Sequence, residues 1–358
     1  MIITKIELAQ FRSYDKLSLT FDKGINVFVG RNGAGKTNIV EAIQYLSLVR
    51  SFRTNEDSEL IKLNQEFATI AARIEGNGTP KQIRILVGKT GKRIIVDQQP
   101  IKQLSQLSDL VNVIVFEPRD VFLFSDLPRV RRRFLDVSLS KHSKNYLQFI
   151  SRYEKLLDER NEILKSDRVD KIHLEIVTKS LIEYAKKIDT YRLEYVAKIN
   201  KILSRLVKAI KGEDTQAEVI YQPFVPIDQD YEIKALEAFN RSLESDIRRK
   251  TTQIGPHRED FTVTLNGRNV SQYGSQGENR LTALALKLTP YFLIEDENKK
   301  PIVVLDDVLS ELDQKHQDNL IELLHRFSQV FITTTQYKYS ATTLYEVTDQ
   351  TVIRRNFL

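Results

Sequence analysis

The sequence predicts an α/β fold interrupted by an inserted helical arm, and three observations carry that expectation. Strand-like and helix-like runs alternate over residues 1–118 and again from about 255 onward. Between these stretches helix-forming residues dominate, and no proline falls between Pro128 and Pro223. Charge divides the same way. Residues 119–212 hold 22 Lys or Arg against 13 Asp or Glu, a basic excess of nine in a chain whose net charge is only +6.

Length and composition set the bounds. At 358 residues the chain suits about two domains. It has no run of 18 apolar residues, so no membrane span is expected. The amino terminus alternates like a strand and lacks a basic region followed by an apolar one, so no signal peptide is expected. The absence of cysteine excludes disulfides, thiolate metal sites and cysteine nucleophiles, and it fits a cytoplasmic protein. The positive net charge favours a polyanionic partner.

Element by element, residues 1–30 read as strands closing on Ile25-Asn26-Val27-Phe28-Val29, a run that stops at Gly30. Beyond a glycine-rich loop, Ile39, Ala42, Ile43 and Leu46 share one face of a helix over 36–49. Residues 67–75, 82–88 and 92–97 are expected as antiparallel strands, with Gly88-Lys89-Thr90-Gly91 as a hairpin turn, and 111–116 as a short buried strand.

In the arm, Leu174, Val177, Leu181, Tyr184, Ile188, Tyr191 and Tyr195 recur at alternating steps of three and four, a coiled-coil seam. It resumes at Ile199, Ile202 and Leu206 after a stutter. Residues 145–165 supply a partner helix through Leu147, Ile150, Leu157 and Leu164, with the turn near Ser166-Asp167. After the arm, Phe261–Leu265 and the turn Asn266-Gly267-Arg268-Asn269 make a hairpin. A helix over 278–296, a strand over 301–305, a helix over 314–327 and a strand over 330–334 complete the chain. The expected division is 1–118, 119–250 and 251–358.

The chemistry resides in the junctions. Gly30-Arg31-Asn32-Gly33-Ala34-Gly35-Lys36-Thr37 fulfils the P-loop pattern G-x-x-x-x-G-K-[ST] between a strand and a helix. Its glycines let successive amides face phosphate oxygens, and the helix adds the positive end of its dipole. Lys36 is expected at the β- and γ-phosphates and Thr37 at Mg²⁺, so ATP and Mg²⁺ are the expected cofactors. A P-loop also needs acid on a second buried strand, and Pro301-Ile302-Val303-Val304-Leu305-Asp306-Asp307 supplies it. Asp306 is expected to orient water on Mg²⁺, and Asp307 to polarise the attacking water.

Two further segments match ATP-binding-cassette (ABC) proteins. Ser310-Glu311-Leu312-Asp313 follows the second carboxylate as the interfacial S-x-L-D segment does. Gly274-Ser275-Gln276-Gly277-Glu278 resembles the signature loop, which meets the ATP of a second subunit, with Ser275, Gly277 and Glu278 in the matching places.

Taken together these pieces resemble the RecF family, relatives of the structural-maintenance-of-chromosomes ATPases. The resemblance spans nearly the whole chain. It rests on Phe11-Arg12-Ser13-Tyr14, the P-loop, Arg50-Ser51-Phe52-Arg53, Arg132-Arg133-Phe134-Leu135-Asp136 and Gly255-Pro256-His257-Arg258. It rests further on the signature, the Leu305–Asp313 block and Phe331-Ile332-Thr333-Thr334-Thr335. The chain departs from the family at Glu278-Asn279-Arg280, usually Gln-Gln-Arg, and at Glu259-Asp260, usually Asp-Asp. The resemblance implies an ABC-type ATPase head of mixed and antiparallel β-structure with helices, carrying a coiled-coil-like arm, and places Arg12 at the ATP. It further implies a cytoplasmic DNA-binding protein that forms a homodimer around two ATP and hydrolyses them slowly, stimulated by DNA. Such a protein acts with RecR and RecO to load RecA onto gapped DNA and supports the SOS response.

Other residues leave alternatives open. Arg129, Arg131, Arg132 and Arg133 open the arm as a basic cluster fit for DNA phosphates or for a structural role between domains. His257 reads more readily as a turn residue than as a catalytic one, and Tyr184, Tyr191 and Tyr195 as packing rather than base-stacking groups. The glutamine that senses Mg²⁺ in cassettes is sought near Glu117. Among other function classes, a transporter subunit is disfavoured by the 270 residues between Lys36 and Asp306. A nuclease of the overcoming-lysogenisation type is disfavoured because only about two dozen residues follow Phe331-Ile332-Thr333-Thr334.

Overall fold

The computed structural model describes residues 1–76, 78–101, 107 and 110–355. In chain order its elements begin with β1 (Ile2–Phe11), β2 (Tyr14–Thr20), β3 (Gly24–Val29), α1 (Lys36–Leu48) and β4 (Phe67–Glu75). β5 (Lys81–Gly88), β6 (Gly91–Val96), β7 (Gln99–Ile101) and β8 (Val113–Phe116) follow. Next are α2 (Pro128–His142), α3 (Lys144–Lys165), α4 (Lys171–Lys211), β9 (Ala217–Gln222), α5 (Tyr231–Arg249), β10 (Asp260–Leu265) and β11 (Arg268–Asn269). The last are α6 (Gln276–Leu293), β12 (Ile302–Asp306), α7 (Gln314–Leu324), β13 (Gln329–Thr334), β14 (Thr343–Thr348) and β15 (Thr351–Arg355). Backbone contacts divide the chain into two units. The first comprises Met1–Val121, Arg205–Asp214 and Arg280–Leu358, the second Phe122–Ser204 and Thr215–Asn279.

The first unit holds two six-stranded sheets. One is antiparallel, in the order β2-β1-β4-β5-β6-β7. Its strands alternate as a half-buried sheet must: Ile83, Ile85 and Val87 point inward between Gln82, Arg84 and Leu86. The other runs β15-β14-β3-β13-β12-β8, parallel from β14 to β8 with β15 antiparallel at the edge. Every residue of β12 and β13 is buried, as central parallel strands require.

Helix α1 packs between these sheets. Ile6, Leu8 and Ile70 of the antiparallel sheet share one core with Phe28, Val304 and Phe331 of the parallel sheet and with Ile39, Val40, Ile43, Tyr45 and Leu46 of α1. Burying each such side chain favours folding by about 1.5–3 kcal/mol. The single apolar face expected for this helix is therefore too narrow. Val40 and Tyr45 are as buried as Ile39 and Leu46, because a sheet covers each side. β7, β14 and β15 lie outside the sequence expectation altogether.

The second unit contains α2, α3, α5, most of α4 and the sheet β11-β10-β9. The turn between α3 and α4 falls at 166–170. On the expected seam Leu174, Val177, Leu181, Ile188, Tyr195 and Ile199 are buried, and Phe149 of α3 meets Tyr184 and Tyr191 through its ring. A second buried stripe runs beside it through Thr178, Ile182, Ala185, Asp189, Arg192 and Val196. This stripe faces the small sheet: the Asn200 side chain bonds both the amide and the carbonyl of Val219 (2.8 and 2.9 Å), and Ser204 does the same for Ala217. Two helix side chains thereby satisfy the outer edge of β9, which would otherwise present unpaired backbone. Because β9 pairs with β10 along its length, this unit runs on to Asn279. Among the described residues no helix is long and apolar enough to cross a membrane.

Candidate nucleotide-binding site

β13 lies between β3 and β12, and its register fixes the site. Thr334 stands opposite Val29, the last residue before the P-loop, while Thr333 stands opposite Asp306. The loop and the carboxylate therefore share the carboxyl edge of the parallel sheet, the usual place for ligands in such sheets.

Two glycines of the loop are dictated by their surroundings. A Cβ on Gly30 would lie 2.1 Å from the Val347 carbonyl oxygen. Gly35 has φ +106°, and a Cβ there would press the Tyr14 hydroxyl, which itself donates to the Gly35 carbonyl at 3.2 Å. The Lys36 Nζ folds over the loop and donates to the Gly30 and Arg31 carbonyls (2.7 and 2.9 Å). Burial lowers the proton affinity of this amine, against the pull of Asp307 and Asp306. A cavity of about 280 Å³ lies over the loop, lined among others by Gly33, Lys36, Thr37, Arg53, Asp307 and Thr333.

The acidic side converges from the other strand. Thr37 and Thr333 both donate hydroxyls to Asp306 Oδ1, at 3.0 and 2.6 Å. Burial raises the Asp306 carboxyl above its ordinary range, and these two hydrogen bonds oppose it. Asp307 adopts a left-handed backbone, φ 53°, at the strand end. Its amide donates to the Thr333 carbonyl and hydroxyl, and the Ser310 hydroxyl donates to its side chain at 2.9 Å. Such a conformation is strained for a residue other than glycine and here turns the side chain toward the cavity. Glu117 follows β8, whose Phe116 is in register with Leu305. Burial, reinforced by Asp120, pushes its carboxyl up to about 7 against Lys287 and Arg119.

The structure distributes the other expected residues unevenly. Arg12 directs its guanidinium onto both oxygens of the buried Glu41 (2.9 and 2.6 Å) and onto the Glu59 carbonyl. The arginine lining the cavity is Arg53, which bonds Asn38 at 2.9 Å. Arg53 belongs to the Arg50-Ser51-Phe52-Arg53 motif, which by itself carries no indication of what the side chain meets. Arg31, Asn32 and Ala34 complete the loop.

Ser275 caps α6 reciprocally with Glu278: Ser275 Oγ accepts from the Glu278 amide, and the Glu278 carboxylate accepts from the Ser275 amide. Gln276 and Gly277 are exposed on the first turn. Arg131 forks onto both oxygens of Asp260 (2.8 and 2.7 Å) and donates to three carbonyls, while Arg132 donates to the Glu259 carbonyl. Arg129 and Arg133 are exposed. His257 is half-buried in its turn, bonded to Tyr153 and to the Thr252 carbonyl. Among the described residues no group of three His, Asp or Glu is placed to hold a metal ion by itself.

A phosphate loop facing a strand-end carboxylate, beneath a second, antiparallel sheet, is the head of an ABC-type ATPase. The chain matches the RecF/RecN/SMC N terminal domain family over residues 2–354. It is 36% identical over 345 residues to the DNA replication and repair protein RecF of Bacillus cereus, covering 94% of this chain and 92% of that one. The RecF of Bacillus thuringiensis gives the same figures. A solved structure described as the recombination mediator protein RecF-ATP in the RecFOR pathway superposes with a TM-score of 0.88 at 31% identity, over 99% of this chain and 97% of that one. The Smc head domain of Pyrococcus furiosus, at 16% identity and a TM-score of 0.60, shares the fold. This chain belongs to the RecF family.

Proposed function

We propose that the protein is an ATP-dependent DNA-binding mediator of replication and repair whose two ATP sites are each completed by a second copy of the chain. The observation that carries this reading is the meeting of Thr37 with Asp306 at 3.0 Å beside the P-loop cavity. A hydroxyl and a carboxylate, both hard oxygen donors, fit a Mg²⁺ ion that keeps most of its waters. The loop amides and Lys36 hold the phosphates, Thr37 and Asp306 would hold Mg²⁺, and Asp307 orients the attacking water. When bound there, Mg²⁺ would supply positive charge to neutralise the phosphate oxygens. Ser275, Gln276, Gly277 and Glu278 meet the ATP of the partner copy through the amino end of α6.

Hydrolysis is slow, stimulated by DNA, and releases it. By analogy with relatives described in the RecFOR pathway, RecR and RecO are the partner proteins, and the outcome is RecA loading on gapped DNA in the cytoplasm, with support of the SOS response. DNA binding by wild type and Lys36→Met on duplex, single-stranded and gapped substrates, with and without ATP, tests the reading. Nucleotide-dependent binding by wild type alone is expected, and equal binding in every condition would remove ATP from the mechanism.

A further inference from the structure

The turn after Asp307 is held in a way that the proposed reaction does not by itself require. Gln317 pins it from one side, its Nε2 donating to the Leu309 and Leu312 carbonyls at 2.8 Å each. From the other side comes Arg280, the fifth residue of α6, one turn beyond the Ser275 cap. Its Nη1 donates to the Glu311 carbonyl and its Nη2 pairs with the Glu311 carboxylate. Among the described residues its Nε is buried with no partner, so the side chain is drawn into this contact at a cost, and two of its three nitrogens serve one residue. Glu311 adjoins Ser310, whose hydroxyl bonds both the carbonyl and the carboxylate of Asp307.

We propose that Arg280 is the positioning residue through which the signature end of α6 controls Asp307 of the same chain. The inference rests on the composite-site reading above. In the dimer the signature of one copy touches its partner's ATP, while the carboxylate tied to that signature acts on the copy's own ATP. Engagement at one site is thus relayed through Arg280, Glu311 and Ser310 to the other, and the two sites turn over interdependently. The fork geometry of arginine suits this task, because it grips backbone and carboxylate together and fixes the turn in orientation as well as distance.

The test compares wild type, Arg280→Gln, Arg280→Lys and Glu311→Gln in steady-state ATP hydrolysis, with the dimer fraction in ATPγS measured by light scattering. For Arg280→Gln, kcat is expected to fall about tenfold, since small displacements of a reacting group are costly, while KM and the ATPγS dimer fraction stay within about twofold of wild type. The sigmoidal dependence of rate on ATP expected of wild type becomes hyperbolic. Arg280→Lys recovers part of kcat through a single contact. Glu311→Gln, an exposed change that keeps the carbonyl bond, loses less than Arg280→Gln. A wild-type kcat in Arg280→Gln, or a fall in kcat matched by loss of the ATPγS dimer, overturns the proposal and leaves the composite site standing. A wild-type protein that stays monomeric in ATPγS sinks the composite-site reading itself, and the relay with it.

Discussion

Thr37 and Asp306 lie 269 residues apart in the chain and 3.0 Å apart in space, hydroxyl to carboxylate. The same Asp306 oxygen also accepts the Thr333 hydroxyl, so two neutral donors serve a carboxylate that is almost wholly buried. Burial raises its proton affinity, which means that the ionised form is less stable in the folded chain than in water. Stability from this group is greatest below the ordinary carboxylate pKa and is lost as pH rises through the raised value. Asp306→Asn keeps an oxygen for both threonines and removes the charge. The variant is expected to gain about 1 kcal/mol in urea unfolding at pH 7. With Asp306 in the role proposed for it, the variant is expected to lose about a hundredfold in ATP hydrolysis, because a neutral amide would be a poor partner for Mg²⁺. A variant that unfolds more easily than wild type contradicts this account.

The second prediction concerns His257. Burial lowers its pKa to about 4, and the hydrogen bond to the Thr252 carbonyl only partly opposes this. The neutral ring suits both contacts, with Nε2–H donating to that carbonyl and Nδ1 accepting the Tyr153 hydroxyl. A depressed histidine pKa means that the unfolded chain takes up the proton first. The contribution is therefore intact above about pH 6.5 and is lost as pH falls toward 4, by about 3 kcal/mol in total. His257→Gln is expected to flatten the stability profile across that window. Denaturation midpoints at half-unit pH steps measure it.

What was legible beforehand follows from which forces leave a local trace. The close approach of Val347 at Gly30 and the left-handed backbone at Gly35 each require glycine, so the loop is written into one short run of residues. The Leu174–Ile199 seam shows in the periodicity because its partner is a neighbouring helix. The parallel stripe does not, since Thr178, Asp189 and Arg192 interrupt Ile182, Ala185 and Val196 and break the apolar pattern. In fact Arg192 is buried against Asp136, Glu259 and the Pro256 carbonyl, and Tyr221 bonds Asp189. These contacts give the motif residues Asp136 and Pro256 a structural part within the second unit. β14 and β15 were missed because their turn, Asp349-Gln350, takes two positive φ values without a glycine to announce it. Arg12 illustrates the reverse, a motif residue whose guanidinium is committed to Glu41.

The third prediction separates the arginines at the start of α2. Arg131 is held by Asp260 and three carbonyls, so Arg131→Ala strands several acceptors at once. It is expected to cost about 2–3 kcal/mol of stability and to leave the salt dependence of DNA binding unchanged. Arg129 is exposed at the first turn of the helix. Arg129→Ala is expected to change stability by less than about 0.5 kcal/mol and to reduce the slope of log affinity against log salt by about 1, as loss of one phosphate contact requires. Titrations of labelled DNA at several salt concentrations, beside urea unfolding, distinguish the two.

The fourth prediction tests the buried ion pair of the second unit. Arg160 lies almost wholly inside, with Nη1 on Asp246 at 2.8 Å and on the Thr252 hydroxyl at 2.7 Å, Nε on Thr178 at 3.0 Å, and its plane over the Phe239 ring. Asp246 is equally enclosed and also accepts the Gln253 amide. Each charge is tolerable only because the other is present, so the worth of the pair lies in the cost of breaking it. Asp246→Leu alone leaves a guanidinium in a low-dielectric site, Arg160→Met alone leaves a carboxylate there, and each is expected to cost about 3–5 kcal/mol. The double change Arg160→Met and Asp246→Leu removes both charges and fills most of the volume. It is expected to recover more than half of that loss, though Thr178 and Thr252 must then find other partners. Urea unfolding of the two single variants and the double variant closes the cycle. Additive losses would mean that the two side chains are stabilised separately, and the account of α3, α4 and α5 as joined through one shared charge pair would fail.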